Sequence, residues 1–173
     1  MAIRKVARMG HPVLRTSAEP VQLPVSAGVD ALAEDMFATM RDEAGVGLAG
    51  PQVHELLRII VFDAPAPADA PAGEHAPPTV LVNPDWERLD ESIGVGQEGC
   101  LSIPGIVGAV PRWHRIRYWG WDLAGRPLSR EATGFHARVV QHECDHLDGV
   151  LFPDRMPDLT TLAFTSELDR ESP

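Results

Sequence analysis

The sequence has few cysteines, more acidic than basic residues, and no long apolar run near its start. Cys100 and Cys144 are the two cysteines, too few for a disulfide scaffold, and a reducing compartment would leave both as thiols or metal ligands. The formal charge of -10 argues against a nucleic-acid surface, which needs clustered Lys and Arg. Residues 1–12 contain cations but no apolar stretch behind them, so they are neither a secretory signal nor a membrane anchor. These absences predict a cytosolic protein with no direct nucleic-acid site and no membrane partner.

Length and composition predict a single domain over residues 1–173. A chain of this length with 44% apolar side chains can bury well over half of its unfolded surface. We therefore expect one core and one active site. Residues 64–78 are rich in Ala and Pro and have little to bury, so they are predicted to form an exposed loop inside this domain.

Apolar spacing predicts two helices with strands between them. Leu32, Met36 and Met40 recur near helical spacing in a predicted helix over residues 26–44. A second helix is predicted over residues 134–147, with Gly149 as its stop signal. Branched and aromatic residues predict five strands, at residues 57–63, 79–83, 86–92, 106–110 and 115–121. This order predicts an α+β fold with mainly antiparallel sheets.

The second predicted helix carries a metal-binding pattern. His142 and His146 are four residues apart, so on a helix both imidazoles face the same way, one turn apart, and can bind one ion. Glu143 lies beside the first of them. A chance match is the alternative, since the chain has seven histidines. Cys144 is two positions from each His, about 200° around the helix, and should point into the core. The sheets are therefore expected to pack around a central metal-binding helix.

A catalytic metal site needs a third protein ligand and an open position for water. In well-known metalloproteases that ligand is a downstream His or Glu, but no His follows His146, and Glu167 lies in a polar terminal segment. Upstream, Cys100 lies in the run EGCLS, residues 98–102. It is either a thiolate ligand or a buried free thiol. The residues alone leave both interpretations of Cys100 open. They weaken the hypothesis that the protein is a metalloprotease.

A glycine-rich run, GVGLAGPQ at residues 45–52, follows the first predicted helix. A phosphate-binding loop would precede a helix and usually carry a Lys, whereas Pro51 and the strand predicted from residue 57 fit neither. We expect a substrate-facing loop, with a plain structural turn as the alternative. Gln52 brings an amide that can both donate and accept hydrogen bonds.

These three segments, in this order, resemble the signature motifs of the peptide deformylase family, GxGLAxPQ, EGCLS and QHExDHLxG. The likeness also includes residues 9–15, 82–84 and 110–112, and covers the chain to about Met156. Gly50 is a departure, because the family usually has Ala there; it adds backbone freedom and removes no functional group. The connection over residues 64–78 also looks longer than in the family. The resemblance implies a hydrolase that removes the N-formyl group from the initiator methionine of nascent polypeptides and releases formate.

The resemblance implies that Cys100, His142 and His146 bind one divalent metal ion, with a water in the fourth position. Ferrous iron is the ion it implies in the cell, and zinc, nickel or cobalt could substitute. Glu143 would act as general base and then as general acid. The substrates would be N-formylmethionyl peptides emerging from the ribosome. Because no transit peptide precedes the domain, a bacterial cytosol is expected rather than an organelle.

The resemblance also implies oxyanion donors and a substrate cleft. The donors would be the side-chain amide of Gln52 and the backbone N–H of Leu101. The remaining substrate-binding residues would dock the extended peptide backbone (Gly47, Gly99) or line an apolar pocket for the methionine side chain (Val46, Phe135, Val139).

Three further expectations concern Asp145 and the rival functions. Asp145 is expected to pair with Arg112, because a buried carboxylate needs a partner. A zinc endopeptidase would take its third ligand from Glu167 rather than Cys100. A non-catalytic metal-binding protein would have a closed four-ligand site, in which Glu143 would be an ordinary surface residue.

Overall fold

The structure, a computed structural model, describes residues 1–65 and 73–168. In these ranges the α-helices are α1 (Ala27–Asp42), α2 (Gly134–Leu147) and α3 (Thr165–Leu168). The strands are β1 (Gly47–Ala49), β2 (Ile59–Ala64), β3 (Ala76–Arg88), β4 (Ile93–Cys100), β5 (Ile103–Trp113), β6 (Arg115–Trp121), β7 (Pro127–Thr133) and β8 (Ala163–Phe164). None of the described helices is long and apolar enough to span a membrane.

The strands form two sheets, and each named strand pair is antiparallel. The larger sheet has the order β1-β2-β3-β6-β7, and the smaller has the order β4-β5-β8. The predicted α+β fold with mainly antiparallel sheets is confirmed.

Helix α2 packs on one face of the larger sheet and α1 on the other. Successive strand residues point to opposite faces, so Ile60 and Phe62 of β2 share a core with α2, while Ile59 and Val61 share a core with α1. This double burial explains why β2 reads as a continuous apolar run rather than an alternating one. The opposite side of α2 faces the smaller sheet, where Arg138 donates hydrogen bonds to carbonyls of β4 and β5. The helix is therefore central, as predicted.

The predicted bounds are confirmed for α2 and β6, whereas β3 and β1 differ from prediction. Residues 79–83 and 86–92 were expected to form two strands, but all of the first segment and the first three residues of the second belong to the single strand β3. Its register shifts between Val82 and Asp85, and Asn83 has a φ of 50°, so the apparent break is an irregularity within one strand. The predicted loop at residues 45–52 contains the short strand β1, which pairs with β2.

The predicted exposed loop over residues 64–78 is wrong at both ends. Ala64 ends β2 and pairs with Ala76 at the start of β3, and both side chains are buried. The two strands therefore extend further into the Ala- and Pro-rich segment than its composition indicates. Residues 66–72 lie outside the described part of the chain.

Candidate metal centre and active site

The three predicted metal ligands lie together between α2 and the end of β4. The donor atoms of Cys100, His142 and His146 are all within 4.8 Å of one another, and Cys100 Sγ is 3.3 Å from His146 Nε2. Donors around a tetrahedral ion with bonds of 2.0–2.3 Å would be about 3.3–3.8 Å apart. The separation of Cys100 and His146 falls within this range, and no two of the three donors are more than 4.8 Å apart. Burial lowers the pKa of His146, which favours the neutral imidazole that a metal requires.

Glu143 supports the fit of a metal ion to this site. Its Oε2 is buried and, across the described ranges, has no hydrogen-bond partner. A buried carboxyl oxygen without a partner is costly, and a water bound beside the three donors would supply one. One thiolate and two imidazoles are a donor set suited to a divalent transition metal. The residues present therefore fit such an ion.

The ring of His142 is oriented by a buried carboxylate. His142 Nδ1 lies 2.8 Å from Glu98 Oε2, so Nδ1–H donates to the carboxylate and Nε2 is left as the metal donor. Burial opposes ionisation of Glu98, but hydrogen bonds from Arg112 and His142 outweigh it and lower its pKa. Arg112 binds both carboxylate oxygens, at 2.8 and 2.9 Å, and Arg138 adds a third contact at 2.8 Å. Glu98 is thus an anion that aligns His142.

Arg112 extends this network along α2 to Asp145. Its Nη1 donates to Asp145 Oδ2 at 2.6 Å, and Arg155 donates to the same carboxylate at 2.7 Å. The predicted pairing of Asp145 with Arg112 is confirmed. The sequence-based prediction gave Glu98 and Arg138 no role. The sequence signal that could have indicated a role for Glu98 was its charge, immediately before Gly99 and Cys100.

Glu143 lies against the glycine-rich segment. Burial raises the pKa of Glu143 to about 7, although the neighbouring His142 opposes this shift. A group that titrates near neutral pH can both accept and return a proton. A Cβ at Gly47 would lie 2.2 Å from Glu143 Oε1, so the glycine leaves room for the carboxylate.

The two predicted oxyanion donors lie beside Cys100. The Oε1 atom of Gln52 accepts a hydrogen bond from Ala49 N at 2.8 Å, which fixes the orientation of the amide. Its Nε2 then lies 3.2 Å from Ser102 Oγ and 3.6 Å from Cys100 Sγ. Leu101 follows Cys100 directly and lines the same cleft. Both residues therefore lie next to Cys100 on the wall of this cleft.

An open cleft of about 480 Å³ leads to these groups. Of the predicted site residues, His146 alone is not on its wall. The five predicted substrate-binding residues are all on it: Val46, Gly47, Gly99, Phe135 and Val139. Val46 and Phe135 are partly exposed at the cleft, whereas Val139 is buried.

Two other predicted features lie away from the donor group. Cys144 is buried in the core shared by α2 and the larger sheet, and burial raises its pKa, so its thiol is unreactive. The prediction that it points into the core is confirmed. Within residues 1–65 and 73–168, one group of His, Cys, Asp or Glu side chains has metal-binding spacing, and Glu167 is not part of it. An endopeptidase was expected to use Glu167 as its third metal ligand, and the observed group has Cys100 instead.

Known proteins share both the sequence and the fold. The Polypeptide deformylase family matches residues 3–161. Peptide deformylase 2 of Ralstonia nicotianae is 46% identical over 171 residues, which are 99% of this chain and 97% of that protein. The Met-Ala-Ser-bound class I type b peptide deformylase of Acinetobacter baumannii has a TM-score of 0.82 and 35% identity, covering 90% of this chain and 99% of that one. The enzyme of Thermotoga maritima has a TM-score of 0.81 and 35% identity, covering 91% and 100%. This chain therefore belongs to the polypeptide deformylase family.

Proposed function

We propose that this chain is a metal-dependent hydrolase that removes the N-formyl group from the initiator methionine of nascent polypeptides and releases formate. The observation that carries the proposal is the position of Glu143, buried beside a Cys-His-His donor group at the base of an open cleft. The substrates are N-formylmethionyl peptides as they emerge from the ribosome, and the expected location is the bacterial cytosol.

The substrate would lie extended along β4. This strand is at the edge of the smaller sheet, so one of its sides can pair with a peptide by strand addition. Gly99 and Gly47 both line the cleft and would contact the peptide backbone. The methionine side chain would then contact Val46, Phe135 and Val139. The deformylase with bound Met-Ala-Ser, a peptide that begins with methionine, supports this substrate class.

Cys100, His142 and His146 would hold the metal ion, and the cellular ion we propose is Fe²⁺. When bound, such an ion supplies a Lewis acid that lowers the pKa of a water and polarises the formyl oxygen. Zn²⁺, Ni²⁺ and Co²⁺ suit the same donors and are proposed as substitutes. The support for iron is the likeness to deformylases, because the donor set itself fits all four ions.

The side chains of this protein then move one proton and stabilise one charge. Glu143 takes a proton from the attacking water and delivers it to the amine nitrogen as the carbon–nitrogen bond breaks. The N–H groups of Gln52 and Leu101 donate to the oxygen that becomes negative when water adds to the formyl carbon. Each such donor typically contributes about 3 kcal/mol to transition-state stabilisation. Formate and a free amino terminus are the products.

The direct test is release of formate from formyl-Met-Ala-Ser by protein reconstituted anaerobically with Fe²⁺. Parallel samples with Zn²⁺, Ni²⁺ and Co²⁺ compare the metals, and acetyl-Met-Ala-Ser serves as a control for hydrolysis of other N-terminal amides. We expect formate from the formyl peptide and no hydrolysis of the acetyl peptide. A folded, metal-loaded protein that releases no formate would contradict the proposal.

The ligand assignment is tested with the two cysteines as a matched pair. Cys100→Ala should lose stoichiometric metal, whereas Cys144→Ala should retain it, because that thiol lies in the core on the other side of α2. If the protein were an endopeptidase with Glu167 as its third ligand, Cys100→Ala would retain the metal and Glu167→Ala would lose it. Metal content by elemental analysis, together with cleavage of a blocked internal peptide, separates the two functions.

A further inference from the structure

A short N-terminal segment, residues 7–9, connects the two loops that carry the proposed oxyanion donors. Ala7 N donates to the backbone carbonyl of Gln52 at 2.8 Å, and Met9 N donates to that of Ser102 at 2.8 Å. These bonds attach the segment to both loops. The residue between them, Arg8, is therefore held at a fixed distance from each donor.

The guanidinium of Arg8 contacts two residues that line the cleft, Leu101 and Glu43. Its Nη1 donates to the backbone carbonyl of Leu101, and its Nη2 lies 3.8 Å from Glu43 Oε2. Glu43 caps the end of α1 and lines the cleft on the side of the glycine-rich segment. The Arg8 side chain is about half exposed, at 48%, so it is not a core residue.

The carbonyl that Arg8 binds belongs to a peptide group that also contacts the metal ligand. Leu101 C=O and Ser102 N–H share one planar trans peptide and point in opposite directions. On the inner side, Ser102 N donates to Cys100 Sγ at 3.4 Å. On the outer side, Arg8 binds the oxygen. Rotation of this peptide would break both contacts together.

We infer that Arg8 is a positioning residue that holds the Leu101–Ser102 peptide so that its N–H points at the Cys100 sulfur. Hydrogen bonds to a metal-ligating sulfur tune the electronic properties of the ion. The preceding peptide carries the Leu101 N–H, so the same contact also steadies a proposed oxyanion donor. Water can replace Arg8 as a hydrogen-bond donor to the freed carbonyl, but it cannot fix the direction of the peptide. The kinetic consequence rests on the proposed function, whereas the effect on the metal site does not.

The test compares Arg8→Gln and Arg8→Lys with Arg126→Gln. Arg126 is a matched control because it is an exposed arginine whose hydrogen bonds go to Asp122, in a surface turn. Each protein is loaded with Co²⁺, and the thiolate-to-cobalt charge-transfer band and the metal dissociation constant are measured. We expect the band to shift in Arg8→Gln, to return towards the parent position in Arg8→Lys, and to stay unchanged in Arg126→Gln. For formate release, we expect kcat of Arg8→Gln to fall about tenfold, the scale of outer contacts at metal sites, with KM nearly unchanged.

A band in Arg8→Gln that coincides with that of the parent would overturn the inference, whatever kcat does. An unfolded Arg8→Gln protein would also overturn it, because Arg8 would then be a structural anchor. If the parent releases no formate, the proposed function fails, and the spectrum and metal affinity still decide the role of Arg8.

Discussion

Replacing Arg112 by alanine should destabilise the protein severely, because it removes the cation between two buried carboxylates. Arg112 is the bidentate partner of Glu98 and also donates to Asp145, and all three side chains are at least 90% buried. Breaking a buried ion pair by removing one partner typically costs 3–5 kcal/mol. Here each carboxylate keeps a second cation, since Arg138 contacts Glu98 and Arg155 contacts Asp145. We therefore expect about 3 kcal/mol, the lower end of that range.

The assay is urea denaturation of the metal-free protein, with Arg117→Ala as the matched control. Arg117 also pairs with two carboxylates, Glu87 and Glu131, but all three side chains are exposed, and such pairs contribute little. Its replacement should leave the midpoint nearly unchanged. Arg112→Ala should also weaken metal binding about 10–100-fold, because Glu98 orients His142. If Arg112→Ala shifts the midpoint no more than Arg117→Ala and retains its metal affinity, the account of the buried network is refuted.

Three further predictions concern packing, pH and metal removal. Gly50→Ala restores the residue usual in the family, yet it should lower the free energy of unfolding by about 1–3 kcal/mol, since its Cβ would lie 2.6 and 2.8 Å from two backbone carbonyl oxygens. Gly28→Ala is the control, because the nearest atom to its Cβ would be 3.7 Å away. Equal urea midpoints for the two variants would refute this prediction. The pKa of Glu98 is lower in the folded protein than its ordinary value of 4.5, so its ionised form stabilises the fold above pH 4.5 and this stabilisation is lost as the pH falls through the folded-state pKa. The difference in unfolding free energy between the metal-free parent and Glu98→Gln should therefore shrink as the pH falls below 4.5. A difference that stays constant would argue against an ionised Glu98. After the metal is removed by chelation, iodoacetamide should label Cys100 and leave Cys144 unlabelled while the protein stays folded, as mass spectrometry can check. Bound metal should protect Cys100. Labelling of Cys144 alone would reverse the assignment of Cys100 as the metal ligand.

Much of the metal site could be predicted because its signals are local. The spacing of His142 and His146 depends only on helical periodicity, and the bounds of α2 follow from the same apolar pattern. Cys100 emerged as a candidate because no suitable ligand follows the helix. The structure brings these three donors together. Glu143 is adjacent in sequence to the first ligand, so its place near the donors also follows from the helix.

The buried network around these ligands could not be predicted, because it joins residues that are distant in the chain. Glu98 comes from β4, Arg112 from β5, and Arg138 and Asp145 from α2. Only the pairing of Asp145 with Arg112 was expected. Which of the chain's many charged side chains meet depends on the packing of α2 between two sheets, and no periodicity encodes that. The contact of Arg8 with Leu101 is likewise set by tertiary structure.

The strands that were missed have compositions that oppose strand formation. Strand β4 contains three glycines in eight residues, and glycine is depleted in strands. Strand β7 begins with Pro127 and is mostly polar, which its position at the edge of the larger sheet tolerates. In both cases, pairing with a neighbouring strand overrides a weak local preference.

In the proposed mechanism, Glu143 performs the proton transfer at a metal site that does not depend on it. The most direct measurement is formate release from formyl-Met-Ala-Ser by the anaerobic Fe²⁺ protein, beside Glu143→Gln with the same metal content. We predict that the parent is active, and that Glu143→Gln is folded and metal-loaded yet at least about 100-fold slower, since a general base contributes 10²–10⁴-fold. A Glu143→Gln protein that binds equal metal and turns over at the parent's rate would contradict the account.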